Sequence, residues 1–104
     1  MEIIKIHDEN QFEQTISKGL VIVDFFATWC GPCRIIAPIL EQVADQHENV
    51  AVCKVDVDEN EDLARQFNIM SIPTILFFKD GMLVNKHIGL LSLDQFNQII
   101  DQNL

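Results

Sequence analysis

Cys30 and Cys33 stand three apart in Trp29-Cys30-Gly31-Pro32-Cys33, directly after the apolar run Leu20 to Ala27 and at the opening of a segment with helical periodicity. Cysteines at this spacing on the first turn of a helix share one face and lie within disulfide reach. The free N–H groups and positive dipole end of that turn favour a thiolate at Cys30 and lower its pKa. A nucleophile is then present at neutral pH. Pro32 suits the first turn, where its missing N–H is not needed, and stiffens the loop between the sulfurs. A cycling dithiol is the chemistry this arrangement favours.

Other uses of the pair fit less well. Structural zinc needs four ligands, and the remaining Cys53, His7, His47 and His87 are not paired at ligand spacing. No metal site is expected. A static staple is poor because so short a loop removes little unfolded-state entropy. Asp56, Asp58 and Asn60 briefly imitate a calcium loop, but Glu61 stands where glycine is required and Phe67 where glutamate is. That stretch reads more simply as a solvated helix start that suits the dipole.

Asp24 is the most informative residue outside the motif. A carboxylate inside Val21-Ile22-Val23-Asp24-Phe25-Phe26 loses hydration, which raises its pKa. It could snorkel at a strand end or join a satisfied core pair. Near a dithiol it could instead take the proton of Cys33 as general base. Lys54, also inside an apolar strand, read alone is an ordinary edge charge. Cys53, with Val52, Val55 and Val57 as neighbours, reads as a small buried side chain, with a regulatory thiol as the alternative.

The 104 residues suit a single domain, 1–104, with 48% hydrophobic content arguing for a folded core. Seven basic against sixteen acidic residues give a net charge of −9, which repels nucleic acid and anionic membrane surfaces. No apolar run approaches the roughly 20 residues of a membrane span, and the start lacks a signal-peptide pattern. The expected setting is cytoplasmic, where a disulfide is usually transient.

The elements that must position the cysteines follow from patterning. Residues 2–7 read as a first strand. Asp8 caps a helix with Gln11 as capping-box partner; Phe12 and Ile16 face inward and Gly19 ends it. Leu20 to Ala27 is too uniformly apolar to be half exposed, so it is predicted to be central. The helix after the motif places Ile35, Ile36, Ile39, Leu40, Val43 and Ala44 inward, and Pro38 predicts a kink. Val50 to Val57 is the next strand, and Asp58 with Glu61 caps a short helix carrying Leu63, Ala64 and Phe67. Thr74 to Lys79 and Met82 to Ile88 form a hairpin about Asp80-Gly81. Ser92 with Gln95 opens a last helix with Phe96, Ile99 and Ile100 facing inward. Strands alternating with helices, closed by a hairpin and a helix, give an α/β fold with a mixed sheet.

Trp29-Cys30-Gly31-Pro32-Cys33 after Val23-Asp24-Phe25-Phe26-Ala27, then Ile72-Pro73-Thr74 before a strand, then Phe78-Lys79-Asp80-Gly81 with Gly89 beyond, resembles the thioredoxin family essentially end to end. The resemblance implies the thioredoxin fold, a five-stranded sheet in order 1-3-2-4-5 flanked by four helices. It implies a general protein-disulfide reductase, with Cys30 as nucleophile and Cys33 as resolving thiol. Asp24 is then the proton acceptor and Lys54 its partner. Pro73 is expected to be cis beside the disulfide, and Trp29, Gly31, Pro32, Ile72, Pro73 and Gly89 to form an apolar docking surface. The chain would bind no cofactor and act as a monomer on diverse disulfide-containing proteins. Its electrons would come from a flavin-dependent thioredoxin reductase using NADPH. An oxidase or isomerase of the same fold commonly carries a histidine between the cysteines, which Gly31-Pro32 does not supply. A non-catalytic binding subunit is the reading from another class. Two departures stand out: Phe26 where many members have tryptophan, and Met70-Ser71 where Arg-Gly is common.

Overall fold

A computed structural model describes residues 2–104. Five strands, β1 (Ile4–Lys5), β2 (Leu20–Phe26), β3 (Val50–Asp56), β4 (Thr74–Lys79) and β5 (Met82–Ile88), form one sheet in the order β1-β3-β2-β4-β5. Four helices, α1 (Glu9–Ile16), α2 (Gly31–Gln46), α3 (Glu61–Gln66) and α4 (Leu93–Asn103), cover it. β2 runs parallel to β3 and antiparallel to β4, so the most apolar segment is central, as its composition predicts.

The period of two along each strand sorts the core into two layers. On one face Leu20, Ile22, Val50, Val52 and Phe77 pack with Ile36, Leu40 and Val43 of α2 and Phe96 and Ile100 of α4. On the other, Val21, Val23, Phe25, Cys53, Val55 and Phe78 pack with Phe12 and Ile16 of α1 and Leu63 of α3. Asp24 and Lys54 fall in phase with Ile22 and Val52, so both belong to the face that carries α2. Cys53 belongs to the opposite face, as a buried filler.

Local signals explain most boundaries. Ser92 and Gln95 form both halves of a capping box at α4. Asp80 and Gly81, at φ +50° and +86°, make the left-handed turn of the hairpin. Several expectations are corrected. The first strand shrinks from 2–7 to Ile4–Lys5, because only those residues stand in register with β3 before Asp8 turns the chain into α1. The side chain of Gln11 reaches back to the His7 N–H, one residue before the cap, at 2.7 Å. α1 ends at Ile16, and Gly19, at φ +71°, turns the chain two residues after the Ser17 cap. Asn60, not Asp58, stands at the N-cap of α3, whose last residue is Gln66. Ile35 is 58% exposed: the inward stripe Ile36, Leu40, Val43 leaves it on the outer flank of α2. Pro38 lies inside α2 without ending it.

Candidate active site

Cys30 ends the loop leaving β2 and is the N-cap of α2. Its sulfur accepts a hydrogen bond from the Cys33 backbone N–H at 3.2 Å, the place a serine oxygen takes at an ordinary cap. Pro32 sits in the first turn, where no N–H is needed. Cys30 and Cys33 are joined by a disulfide across Cα atoms 5.3 Å apart. Both are only 4% exposed, so accessibility does not distinguish them; the capping bond does. A negative sulfur at Cys30 would meet an N–H and the positive end of a four-turn helix.

A small apolar cluster seats the pair: Ala27, Cys30 and Cys33, with Phe26, Val57 and Ile72 against them. The Cys30 Sγ lies 3.8 Å from the Ile72 carbonyl oxygen. The Ile72–Pro73 peptide bond is cis. The Pro73 carbonyl accepts from the Gly89 N–H at 2.9 Å, which ties the segment before β4 to the turn after β5. Trp29, Gly31 and Pro32 are exposed, Ile72 and Gly89 are half-buried, and Pro73 is buried. Met70, two residues before Ile72, is 85% exposed.

Beneath α2, Asp24 is 0% exposed, and neither carboxylate oxygen has a hydrogen-bond partner among the described residues. Burial raises its pKa from 3.8 to about 7, against a smaller pull downward from the Lys54 ammonium. The same burial pushes the Cys53 thiol up to about 12, with the Asp24 charge adding to it. Both causes favour the protonated thiol at Cys53. Lys54 stands beside Asp24 in the β2–β3 register, and its Nζ lies 4.4 Å from the centroid of the Phe26 ring. A phenyl face at that distance attracts a cation. Lys54 and Phe26 also line a cleft of about 400 Å³.

Three relationships escape a reading of the sequence. The Trp29 indole N–H donates to Asp58 at 2.9 Å, across 29 residues of chain, so the residue read as a helix cap serves the active-site rim. Phe26 emerges as the ring beside Lys54. His87, dismissed as a metal ligand, bonds the Leu90 carbonyl oxygen. Spacing carried no signal for the first two, which depend on which strands become neighbours. Elsewhere in the acid-rich stretch, Asp56 accepts from the Asp58 N–H, and Asn60 donates to the Ile6 and Asp56 carbonyl oxygens. A hollow of about 470 Å³ lies there, between the starts of α1 and α3, and neither disulfide cysteine lines it.

Comparison with known proteins matches this geometry. The family model for thioredoxin covers residues 2–102. A thioredoxin of Staphylococcus haemolyticus is 45% identical over the full length of both chains, and one of Staphylococcus aureus is 43% identical over the same span. Among solved structures, a mutant thioredoxin from Halobacterium salinarum superposes with a TM-score of 0.92 at 34% identity, covering 98% of this chain and 90% of that one. Plasmodium falciparum thioredoxin gives 0.89 at 36% identity, covering 98% and 100%. With its Cys30–Cys33 redox pair set at the start of α2, the chain belongs to the thioredoxin family, a thiol–disulfide oxidoreductase that works through its own disulfide and needs no bound cofactor.

Proposed function

We propose that this chain, acting as the single domain 1–104, reduces protein disulfides by two successive exchanges. In the reduced form the Cys30 thiolate attacks one sulfur of a substrate disulfide, whose S–S bond breaks. One substrate sulfur leaves as a thiolate and takes a proton, and the other remains bonded to Cys30. Asp24 accepts the proton of Cys33, and the Cys33 thiolate attacks the Cys30 sulfur. The Cys30–Cys33 bond forms and the second substrate thiolate leaves. The substrate gains two electrons and the cysteine pair loses them.

The observation that carries this assignment is the Cys33 N–H donating to the Cys30 sulfur, which makes Cys30 the sulfur that a helix terminus stabilises when negative. Asp24 suits its role because a carboxyl that titrates at about 7 can both take and return a proton near neutral pH. Lys54 keeps that carboxyl from being held protonated too firmly. Trp29, Gly31, Pro32, Ile72, Pro73 and Gly89 form the docking surface, with Pro73 acting from beneath through its carbonyl bond to Gly89. Electrons return from a flavin-dependent thioredoxin reductase using NADPH. The chain serves as a cytoplasmic monomer, kept soluble and apart by its charge of −9.

The test is reduction of insulin disulfides, driven by NADPH with a thioredoxin reductase or by dithiothreitol. Turnover that disappears in Cys30→Ser is expected. Turnover surviving in that variant would remove Cys30 as the nucleophile, and no turnover by the wild-type chain with any reductase or with dithiothreitol would overturn the reductase reading.

A further inference from the structure

His87 lies near the end of β5, in register with Ile75, and its ring is half-buried. Its Nε2 is 2.9 Å from the carbonyl oxygen of Leu90. A carbonyl can only accept, so Nε2 carries the hydrogen. The bond spans Ile88 and Gly89 and closes a turn in which Gly89 adopts φ +95°. Inside this turn the Gly89 N–H donates to the Pro73 carbonyl at 2.9 Å, and Pro73 follows the Ile72 carbonyl that lies 3.8 Å from the Cys30 sulfur. Three consecutive contacts thus join the His87 ring to the disulfide. The turn also displays apolar side chains to solvent: Ile88 is 60% and Leu90 46% exposed.

We propose that His87 is a specificity-determining positioning residue: its bond to the Leu90 carbonyl holds the Gly89 turn in the shape that receives an extended protein substrate. The proposal rests on the docking surface described under Proposed function. Small disulfides touch little beyond the sulfurs, so they are indifferent to the turn. Protein disulfides depend on it, because flanking residues of the substrate must lie along Gly89 and Leu90. Nothing in the exchange chemistry passes through the imidazole, which touches neither sulfur nor Asp24 among its described contacts.

The decisive variants are His87→Phe, which keeps a ring but removes the donor, and His87→Gln, whose amide nitrogen reaches about where Nε2 does. Amide hydrogen exchange at Gly89 reads the turn without any turnover. It should quicken about threefold to tenfold in His87→Phe, the range for loss of one neutral hydrogen bond, and return toward wild type in His87→Gln. With insulin, KM should rise by a similar factor in His87→Phe at nearly unchanged kcat and recover in His87→Gln. Reduction of a small aromatic disulfide should be the same in all three proteins. Unchanged Gly89 exchange in His87→Phe, no recovery with Gln, or an equal loss on the small disulfide would each overturn the proposal. If wild-type protein fails to turn over insulin, the reductase reading falls on that result, while Gly89 exchange still decides whether His87 holds the turn.

Discussion

Asp24 and Lys54 stand side by side in the parallel register of β2 and β3, yet their environments differ: the carboxylate is sealed beneath α2, while the ammonium rests near the Phe26 ring at a cleft. The charge that could relieve Asp24 is therefore close but only partly effective, and burial dominates. This imbalance yields two predictions.

The first concerns stability. Below the unfolded value of 3.8, Asp24 is protonated in both states and burial costs no charge. Between 3.8 and about 7 the unfolded chain ionises while the folded one holds its proton, so stability falls as pH rises and levels off above the folded pKa. A rise of that size corresponds to about 4 kcal/mol at pH 8 and above. Asn at this position carries no charge, but its buried amide gives back about 1–3 kcal/mol in unmade hydrogen bonds. Asp24→Asn should thus be more stable than wild type by about 1–3 kcal/mol at pH 8.5, and no more stable at pH 4. Urea denaturation of the oxidised proteins at both pH values checks this; a less stable Asn variant at pH 8.5 would contradict it.

The second concerns Lys54. Its charge lowers the Asp24 pKa, so Lys54→Met should move the Asp24 titration above about 7. Carbon NMR of the Asp24 carboxyl reads it directly. A titration that stays put or moves down would show that Lys54 has no electrostatic hold on Asp24.

How much was legible beforehand follows the range of each signal. The two cysteines, Pro32, the Ser92–Gln95 box and the Asp80-Gly81 turn depend on residues within a few positions of one another, and the structure has them where patterning put them. The anomaly of Asp24 was legible because the six apolar residues around it in Leu20–Phe26 fix burial whatever the topology. Ile35 misled because an apolar side chain next to the inward stripe cannot be assigned a face by hydrophobicity alone. Asp58 misled because a carboxylate before a helix is a plausible cap, while its actual partner, Trp29, arrives from another loop. Strand order and the docking surface came through resemblance, since non-local pairing leaves no periodic trace in the sequence.

Asp58 gives a third prediction. Trp29 is the sole tryptophan and 69% exposed, yet its indole is tethered at 2.9 Å. Asp58→Ala should free the ring, lowering its fluorescence anisotropy and raising KM for insulin several-fold, as expected for loss of one hydrogen bond to a charged acceptor. Asp58→Asn retains a carbonyl acceptor and should recover most of both. Wild-type anisotropy in Asp58→Ala would show that packing, not the tether, holds Trp29.

The central claim, that Cys30 attacks and Cys33 resolves, rests on a single capping bond between them. Mass spectrometry of covalent complexes formed with a disulfide-containing protein tests it most directly. Cys33→Ser should accumulate a mixed disulfide through Cys30, since attack proceeds and resolution cannot, while Cys30→Ser should accumulate almost none. Trapping by Cys30→Ser equal to or above that of Cys33→Ser would contradict the assignment of both residues.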